Sequence, residues 1–366
     1  MQSLKDYCNY LMRLPWFIPT HRRYRIGDEV FLLLRLMDEP ELTPIAGKIV
    51  WLTPAGAEGN SLAGVGVQFG AQDQGAARRK LEGYLADTLT SNRLTHTLGA
   101  TIMLVDSHCH LDRVDLEPYA EEFHRLMTET RAAGVGHMLC VSIALERYPR
   151  MRELVDPYPQ VSVSVGVHPG EQGRREPTPE DLSALARDAR TVAIGETGLD
   201  YYRSQGDDPG RQHQRFRNHI AAARSCGKPL IIHTREARED TLRILMEENA
   251  RDVGGVLHCF TETWEMAKAA LDMGLYIAFS GIVTFKTADQ LRAMAAKVPL
   301  DRLLIETDSP YLAPVPHRGK PNEPKFVAAV AQCLAERRGM PADELAAHTR
   351  DNFFRLFKDA VPADSR

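Results

Sequence analysis

The sequence predicts an α/β protein in which a (β/α)8 TIM barrel follows a small all-β barrel domain. From Met103 onward, eight short apolar runs alternate with longer helical patterns, as a parallel sheet with helical crossovers requires. Before that point the pattern consists of short strands and turns. A single TIM barrel accounts for only about 250 residues. The 366-residue chain therefore needs a second unit.

The part of the chain before Met103 has the pattern of a small all-β domain. The runs EVFLLLRL, IAGKIVWL and GVGVQF predict three strands, and ARRKLEGYLADTL predicts a closing helix. The polar segment SNRLTHTLGAT separates this helix from Met103, where the pattern changes abruptly. We place an all-β domain at 1–98, a linker at 99–102 and a TIM-barrel domain at 103–362.

Eight barrel strands are predicted along the second domain. Each is a short β-branched or apolar run, and helical segments such as EPYAEEFHRLMTETRAAG lie between them. The runs are IMLVDS, HMLCVS, VSVSVGV, TVAIGE, PLIIH, GGVLH, LYIAFS and RLLIET. Eight strand–helix units are typical of a (β/α)8 barrel.

Composition limits the classes of function. Apolar residues make up 43% of the chain and charged residues 26%, as in ordinary globular proteins. The formal net charge of -4 argues against a broadly basic surface, so a nucleic acid would be held by local Arg and Lys clusters. The six cysteines lack CxxC spacing, which indicates reduced thiols. No signal-peptide pattern or membrane-length apolar run occurs, so we expect a cytoplasmic protein with no membrane association.

Ionisable residues follow the predicted strands at one end of the barrel. Active sites of TIM barrels lie at the carboxyl ends of the strands, so residues distant in sequence converge there. A lone His after an apolar strand is more often hydrogen-bonded in the core, and this alternative stays open for each residue taken singly. Their shared position favours a metal site. The six candidate residues are His108, His110, Glu196, His233, His258 and Asp308.

The chemistry of this set suits divalent cations. His108 and His110 are two residues apart on an extended segment, so both imidazoles point to the same side. Mixed imidazole and carboxylate donors bind zinc, manganese and similar ions. A carboxylate such as Glu196 can bridge two ions about 3.5–4 Å apart, which activate water and neutralise developing phosphoryl charge. We therefore expect two divalent metal ions (Mg, Mn or Zn) and a hydrolytic reaction.

Eight motifs in order resemble the signature series of TatD-type metal-dependent hydrolases. They are DSHCHLD, GVHPG, AIGETGLDYYR, KPLIIHTRE, LHCFTE, FSGIVTFK, LLIETDSPYL and HRGKPNEP, within residues 103–358. The resemblance implies a TIM-barrel metallohydrolase that acts on phosphodiester bonds in DNA, a deoxyribonuclease of the 3'–5' exonuclease type. It also implies that the six candidates are the metal ligands, with Glu196 as the bridge. For the residue that orients or deprotonates water, Asp308 is the first candidate and Glu196 the competing one.

Other residues of these motifs are candidates for substrate binding. His168 resembles the family position that faces the scissile phosphate, with a supporting hydrogen bond behind the ligands as the alternative. Cations such as Arg203 follow strands and could hold phosphate oxygens. The alternative is that they are ordinary surface charges in contact with solvent. Tyr201 and Tyr202 could stack on a base. The predicted substrate-binding residues are His168, Arg235, Arg318, Asn322, Lys286 and Tyr201.

The segment LPWFIPTHRRYRIGDEVFLLLRLMDEPE, with AGKIVWLTPAGAEGNSLAGVGVQF, resembles PilZ domains of the type that serves type IV pilus assembly, over about 16–98. Many PilZ domains bind cyclic di-GMP through RxxxR and (D/N)xSxxG elements. Here CNYLMRLP lacks the second element, HRRYR lies on the wrong side, and GNSLAGVG is better interpreted as a turn into a strand. The sequence therefore argues against cyclic di-GMP binding and favours pilus-assembly proteins as partners. Trp16, Phe17 and Trp51 could form the binding surface, with core packing as the alternative.

Two alternative functions remain open at this stage. In one, the PilZ-like module is the working part of a regulatory or pilus-assembly binding protein. In the other, the same barrel site cleaves an amide or ester bond, because barrels with similar His and carboxylate sets perform both reactions.

Overall fold

In a computed structural model, the chain divides into two compact units, Met1–Thr101 and Ile102–Arg366. The predicted closing helix at 77–89, the predicted linker at 99–102, Met103 and Cys8 lie outside the residues that the structure describes. The described residues are 16–19, 24–35, 42–53, 64–69, 104–172, 175–203 and 209–362.

The first unit contains a four-stranded antiparallel sheet with strand order β1-β4-β3-β2. Its described core consists of Ile49, Val65 and Val67. The strands are β1 (Trp16–Pro19), β2 (Glu29–Arg35), β3 (Leu42–Thr53) and β4 (Gly64–Phe69). The side chains of Trp16, Phe17 and Trp51, together with segments 8–15, 21–23 and 59–63, are outside the description. The predictions about cyclic di-GMP and a binding surface concern those parts.

The second unit is an eight-stranded parallel barrel, as the sequence predicts. Its strands lie side by side in chain order. They are β5 (Leu104–Cys109), β6 (Val135–Cys140), β7 (Val161–Val165), β8 (Thr191–Asp200), β9 (Leu230–Arg235), β10 (Gly255–Leu257), β11 (Tyr276–Phe279) and β12 (Leu303–Ile305).

Two backbone hydrogen bonds join the carboxyl end of the first barrel strand to the segment after the last one. The Asp308 N–H donates to the His108 carbonyl (2.9 Å), and the His110 N–H donates to the Ser309 carbonyl (2.8 Å). This seam lies among the candidate ligands. None of the helices in the described part of the chain has the length and apolar character of a membrane span.

Helices surround the barrel and bury the outer faces of its strands. Phe353 and Phe357, from the last helix and the residue after it, share a buried cluster with strand residues such as Val105 and Val192. The helices are α1 (Phe123–Ala132), α2 (Tyr148–Val155), α3 (Pro179–Leu185), α4 (Gly210–Cys226), α5 (Arg238–Glu247), α6 (Trp264–Asp272), α7 (Asp289–Ala295), α8 (Val327–Arg338) and α9 (Ala342–Leu356).

A close approach of two backbones brings β8 next to the end of β7. A Cβ atom placed on Gly166 would lie 2.4 Å from the carbonyl carbon of Gly195, which no side chain can tolerate. Only glycine, which has no Cβ atom, therefore fits at position 166. Glu196 follows Gly195 directly, so this approach helps to set where its carboxylate lies.

Candidate metal centre

The four candidate imidazoles lie around the Glu196 carboxylate, which is buried at the carboxyl end of the barrel. Its Oε2 lies 3.6 Å from His108 Nε2 and 3.9 Å from His110 Nε2. Its Oε1 lies 2.8 Å from His258 Nε2 and 3.0 Å from His233 Nδ1. The two oxygens of one carboxylate thus face two different pairs of imidazoles.

Asp308 completes the first of these groups. Its Oδ1 lies 3.4 Å from His110 Nε2 and 3.7 Å from His108 Nε2. The backbone of Asp308 has a φ of 56°, in the left-handed region that non-glycine residues rarely occupy. Such a conformation persists where the surrounding structure imposes it, and here the seam hydrogen bond of Asp308 does so.

The site has the properties of a cation-binding site. Both ring nitrogens of His108 are fully buried and have no hydrogen-bond partner among the described residues. Orphaned buried acceptors are costly unless a cation or donor satisfies them. Each of several overlapping donor groups has its ligand atoms within 4.8 Å of one another, and they include His108–His110–Glu196 and Glu196–His233–His258. Imidazole and carboxylate donors of this kind fit divalent metal ions.

Charge within the cluster keeps Glu196 ionised. Burial alone would raise the pKa of this carboxyl group, but the surrounding histidines, His258 foremost, hold it well below its usual range. An ionised carboxylate is the form that binds metal ions.

Several buried residues behind the candidate ligands were not predicted from the sequence. Glu306 Oε1 lies 3.3 Å from His258 Nδ1 and accepts the Cys259 N–H at 2.6 Å. Asp106 accepts the Thr307 N–H (2.9 Å) and hydroxyl (2.5 Å) across the seam. Such partners orient the ligands that they support. The available signal was an acidic residue two positions before a ligand on an extended strand, as in DSH and ETD.

Two other candidate imidazoles are oriented in the same way. His110 Nδ1 lies 3.0 Å from the Val141 carbonyl, which can only accept, so the neutral ring has its unprotonated nitrogen at Nε2, on the side of the site. His233 Nε2 lies 3.2 Å from Oδ2 of the buried Asp200. Asp200, ambiguous in the sequence, therefore lies where it can support His233.

His168 lies beside the cluster, with its Nε2 3.5 Å from Glu196 Oε1. The Gly170 N–H donates to His168 Nδ1 (2.9 Å). Burial lowers the pKa of His168 to about 3, so the ring is neutral at pH 7. A neutral imidazole that accepts at Nδ1 carries its proton on Nε2. His168 therefore presents an N–H donor to the site.

Helix α4 holds the turn that carries His168. The Arg215 guanidinium is buried, contacts both Glu176 oxygens (2.6 and 2.7 Å) and donates to the His168 carbonyl (2.7 Å). One turn further along α4, His219 Nε2 accepts the Val167 N–H (3.0 Å). These contacts fix the backbone on which the His168 ring depends.

The remaining predicted substrate-binding residues separate into two kinds. Tyr201 and Asn322 are held internally: the Tyr201 hydroxyl contacts His213 and Asp240 (2.6 Å each), and the buried Asn322 amide donates to two backbone carbonyls. Nothing in these contacts supports a substrate role for either residue. By contrast, Arg235, Arg318 and Lys286 lie towards the solvent at the carboxyl end of the barrel.

Comparison with known proteins identifies the family of this chain. The family model described as TatD related DNase matches residues 105–358, which is more than two thirds of the sequence. The chain belongs to this family. A second model, described as PilZ domain, matches residues 14–87. The TatD match covers all six candidate ligands and every barrel strand except for Leu104, the first residue of the first strand.

Relatives of this TatD-family chain are metal-dependent hydrolases. YcfH of Escherichia coli (strain K12), named an uncharacterized metal-dependent hydrolase, is 52% identical over 256 residues, which are 70% of this chain and 96% of YcfH. The 3'-5' ssDNA/RNA exonuclease TatD of Edwardsiella piscicida is 34% identical, over 66% of this chain and 95% of that protein. The crystal structure of the TatD homologue YjjV of E. coli K12 shares 31% identity with a TM-score of 0.65, covering 72% of this chain and 100% of YjjV. The barrel is thus that of a TatD-family metal-dependent hydrolase.

Proposed function

We propose that the barrel hydrolyses phosphodiester bonds of DNA as a 3'–5' exonuclease that uses two divalent metal ions. The position of Glu196 supports this proposal most directly, because its two oxygens face separate groups of ligands. Such a carboxylate would help to hold two ions, and a two-metal site would stabilise both the attacking and the leaving oxygen of phosphodiester hydrolysis. The relative from Edwardsiella piscicida, which is named a 3'-5' ssDNA/RNA exonuclease, supports the substrate and the polarity.

In this proposal the ligands are His108, His110, Glu196, His233, His258 and Asp308. Bound there, divalent ions supply Lewis acidity at the phosphoryl oxygens and a nucleophile at neutral pH. Asp308 presents Oδ1 to His108 and His110, and its second oxygen is the first candidate to accept a proton from the attacking water. Glu196 is the competing candidate. The Nε2–H of His168 donates to a phosphoryl oxygen and so holds the scissile group against the site.

Cleavage of end-labelled DNA tests the proposal. The full chain is treated with chelator, reloaded with Mg, Mn or Zn, and given single strands labelled at the 3' or the 5' end. We expect metal-dependent release of nucleotides from the 3' end. Glu196→Gln should lower the rate by roughly 100-fold or more, as the loss of one electrostatic group from an active site typically does.

The control for this experiment is His348→Ala, which removes an exposed histidine on α9 and should cleave like the wild type. Release from the 5' end would contradict the polarity. Equal rates for the wild type and Glu196→Gln, or cleavage of amides and esters but no phosphodiesters, would contradict the proposal as a whole.

The match to the PilZ model supports a second role, in which the amino-terminal unit is a binding module. We propose pilus-assembly proteins as its partners and expect no binding of cyclic di-GMP. Titration of cyclic di-GMP into the full chain should therefore release no binding heat. In a piliated host that lacks the gene, full-length Glu196→Gln should restore pili as well as the wild type does. If only the active form restored them, the module would have no separate role.

A further inference from the structure

The segment between β7 and α3 is joined to helix α4 at both of its ends. It is described at residues 166–172 and 175–178. Near its start, His219 Nε2 accepts the Val167 N–H (3.0 Å). Near its end, the Asn218 side-chain amide donates to the Pro177 carbonyl (2.9 Å). Two neighbouring residues of one helix therefore hold opposite ends of this segment.

Arg215 of α4 connects the two ends directly. Its Nη1 donates to the carbonyls of His168 (2.7 Å) and Pro169 (3.2 Å) near the start of the segment. Its Nε and Nη2 donate to the two carboxylate oxygens of Glu176 (2.7 and 2.6 Å) near the end. The Arg215 side chain is only 2% exposed. Because a guanidinium group is a planar, rigid fork, this one side chain sets the distance between His168 and Glu176.

The ion pair of Arg215 and Glu176 keeps this connection in place. Burial alone would raise the pKa of the Glu176 carboxyl group, but Arg215 and Arg211 lower it, so the carboxylate is ionised at pH 7. A buried guanidinium without a carboxylate partner would be costly. A buried ion pair adds little net stability compared with apolar side chains of similar volume. The position that the pair imposes on the segment is therefore its distinctive contribution.

The segment determines where the His168 ring lies. The Gly170 N–H, from the same segment, donates to His168 Nδ1 (2.9 Å) and so orients the ring. In this orientation His168 Nε2 lies 3.5 Å from Glu196 Oε1, and the ring centre lies 4.6 Å from that of His233. Glu196 and His233 belong to β8 and β9. A shift of the segment relative to α4 would therefore move the His168 Nε2–H relative to the candidate metal centre.

We propose that Arg215 is a positioning residue for the hydrolytic reaction: it joins both ends of the segment to α4 and so holds the His168 Nε2–H where it meets the substrate. This inference rests on the proposed function, in which His168 donates to a phosphoryl oxygen. Arg215 is itself buried, so it acts on the reaction through His168.

A double-mutant cycle tests this dependence. Arg215→Ala, His168→Ala and the double variant, each as the full metal-loaded chain, are compared with the wild type on 3'-labelled single strands. Arg215→Ala should lower kcat roughly 10- to 100-fold with little change in KM, because a small misplacement of a reacting group causes such a loss. In the His168→Ala background the same substitution should have almost no further effect, because the two residues act as a unit. Multiplication of the two separate losses would overturn the proposal.

The matched control is Arg217→Ala. Arg217 lies on the same helix and also pairs with two carboxylates, but these are Glu247, at the end of α5, and Glu248 after it. Its loss should leave kcat unchanged. A kcat loss as large as that of Arg215→Ala would indicate a general weakening of α4 and contradict the proposal. Arg215→Lys keeps the charge and loses the planar fork, so its kcat should lie between those of the wild type and Arg215→Ala.

Hydrogen exchange separates this proposal from the proposed function, because it requires neither metal nor DNA. The full chain is produced with isotopically labelled glycine, and exchange of the Gly170 amide is followed by NMR. This amide should exchange roughly tenfold faster in Arg215→Ala than in the wild type or Arg217→Ala, because its bond to His168 Nδ1 opens more often.

Glu176→Gln approaches the same pair from the partly exposed side and serves if Arg215→Ala does not fold. It should also speed the exchange of the Gly170 amide. Faster exchange on loss of Arg215 or Glu176 supports the positioning of His168 even if the wild type cleaves no DNA, a result that would sink only the nuclease proposal. Equal exchange in the wild type and these variants would overturn the positioning role.

Discussion

His219 supports the His168 turn from a fully buried position on α4. Its Nε2 accepts the Val167 N–H, and its Nδ1–H donates to the Arg215 carbonyl (2.8 Å). Burial lowers the pKa of His219 to about 4, whereas an unfolded histidine has a pKa of about 6.5. Between these values only the unfolded chain binds the proton, so stability falls as the pH drops through this window.

His219→Gln tests this acid sensitivity, because glutamine can accept the Val167 N–H but does not titrate. Between about pH 7 and about pH 5, the free energy of unfolding of the wild type should fall by about 2 kcal/mol more than that of the variant. Denaturant unfolding at the two pH values measures the difference. Parallel losses in both proteins would show that His219 takes up its proton equally in the folded and unfolded chain.

At the residue scale, the sequence predicts which candidate ligands lie together, but it does not predict the hydrogen-bond partners of the other polar residues. The six candidate ligands converge because the ends of parallel strands share one edge of the barrel. Tyr201 and Asn322 occur in the same motifs, yet their polar atoms are satisfied inside the protein. Whether a polar group faces solvent or a backbone carbonyl depends on loop geometry, which residue order alone does not encode.

At the element scale, the approach of β7 and β8 depends on Gly166, where a Cβ would lie 2.4 Å from the Gly195 carbonyl carbon. Gly166→Ala should lower the free energy of unfolding by about 3 kcal/mol, because overpacking here displaces backbone. It should also weaken metal binding through Glu196. Denaturant unfolding and metal titration measure the two effects.

Gly134→Ala is the control for this substitution. Gly134 has a φ of 89° and no atom within 4 Å of an added Cβ. It should therefore cost only about 1–2 kcal/mol of backbone strain and leave metal binding unchanged. A smaller loss for Gly166→Ala than for this control would refute the steric argument.

The strands themselves were predictable, and their ends less so. Apolar runs indicated all eight barrel strands, but β8 extends to Asp200, four residues beyond the predicted run. The strand continues because Leu199 and Asp200 still pair with Thr234 and Arg235 of β9. Pairing with a neighbour, which hydrophobicity does not report, decides where a strand ends.

At the scale of the whole molecule, metal binding should stabilise the barrel. The buried site gathers several carboxylates and imidazoles with orphaned ring nitrogens, which a cation would satisfy. A ligand at 100 times its Kd stabilises the folded state by about 2.7 kcal/mol. Thermal unfolding of the full chain should therefore shift to higher temperature when Mn or Zn replaces chelator. Glu196→Gln should show a smaller shift, and the same shift in both would argue against a metal bound at Glu196.

At the same scale, part of the domain organisation was predictable from the sequence. The abrupt change of pattern near Met103 predicted two domains, and the two compact units divide between residues 101 and 102. The 99–102 linker itself remains a prediction, because those residues lie outside the description. The strand pattern predicted a barrel because eight parallel strands with helical crossovers close on themselves.

Because of the seam between the first and the last barrel strand, the candidate site is completed only when the last strand has been synthesised. His108 and His110 leave the ribosome nearly two hundred residues before Asp308, and the hydrogen bonds that join them form only once the final strand is in place. A nascent or truncated chain that stops short of β12 therefore lacks both the closure and part of the candidate ligand set. We expect hydrolysis only from the finished barrel and none from such an incomplete chain.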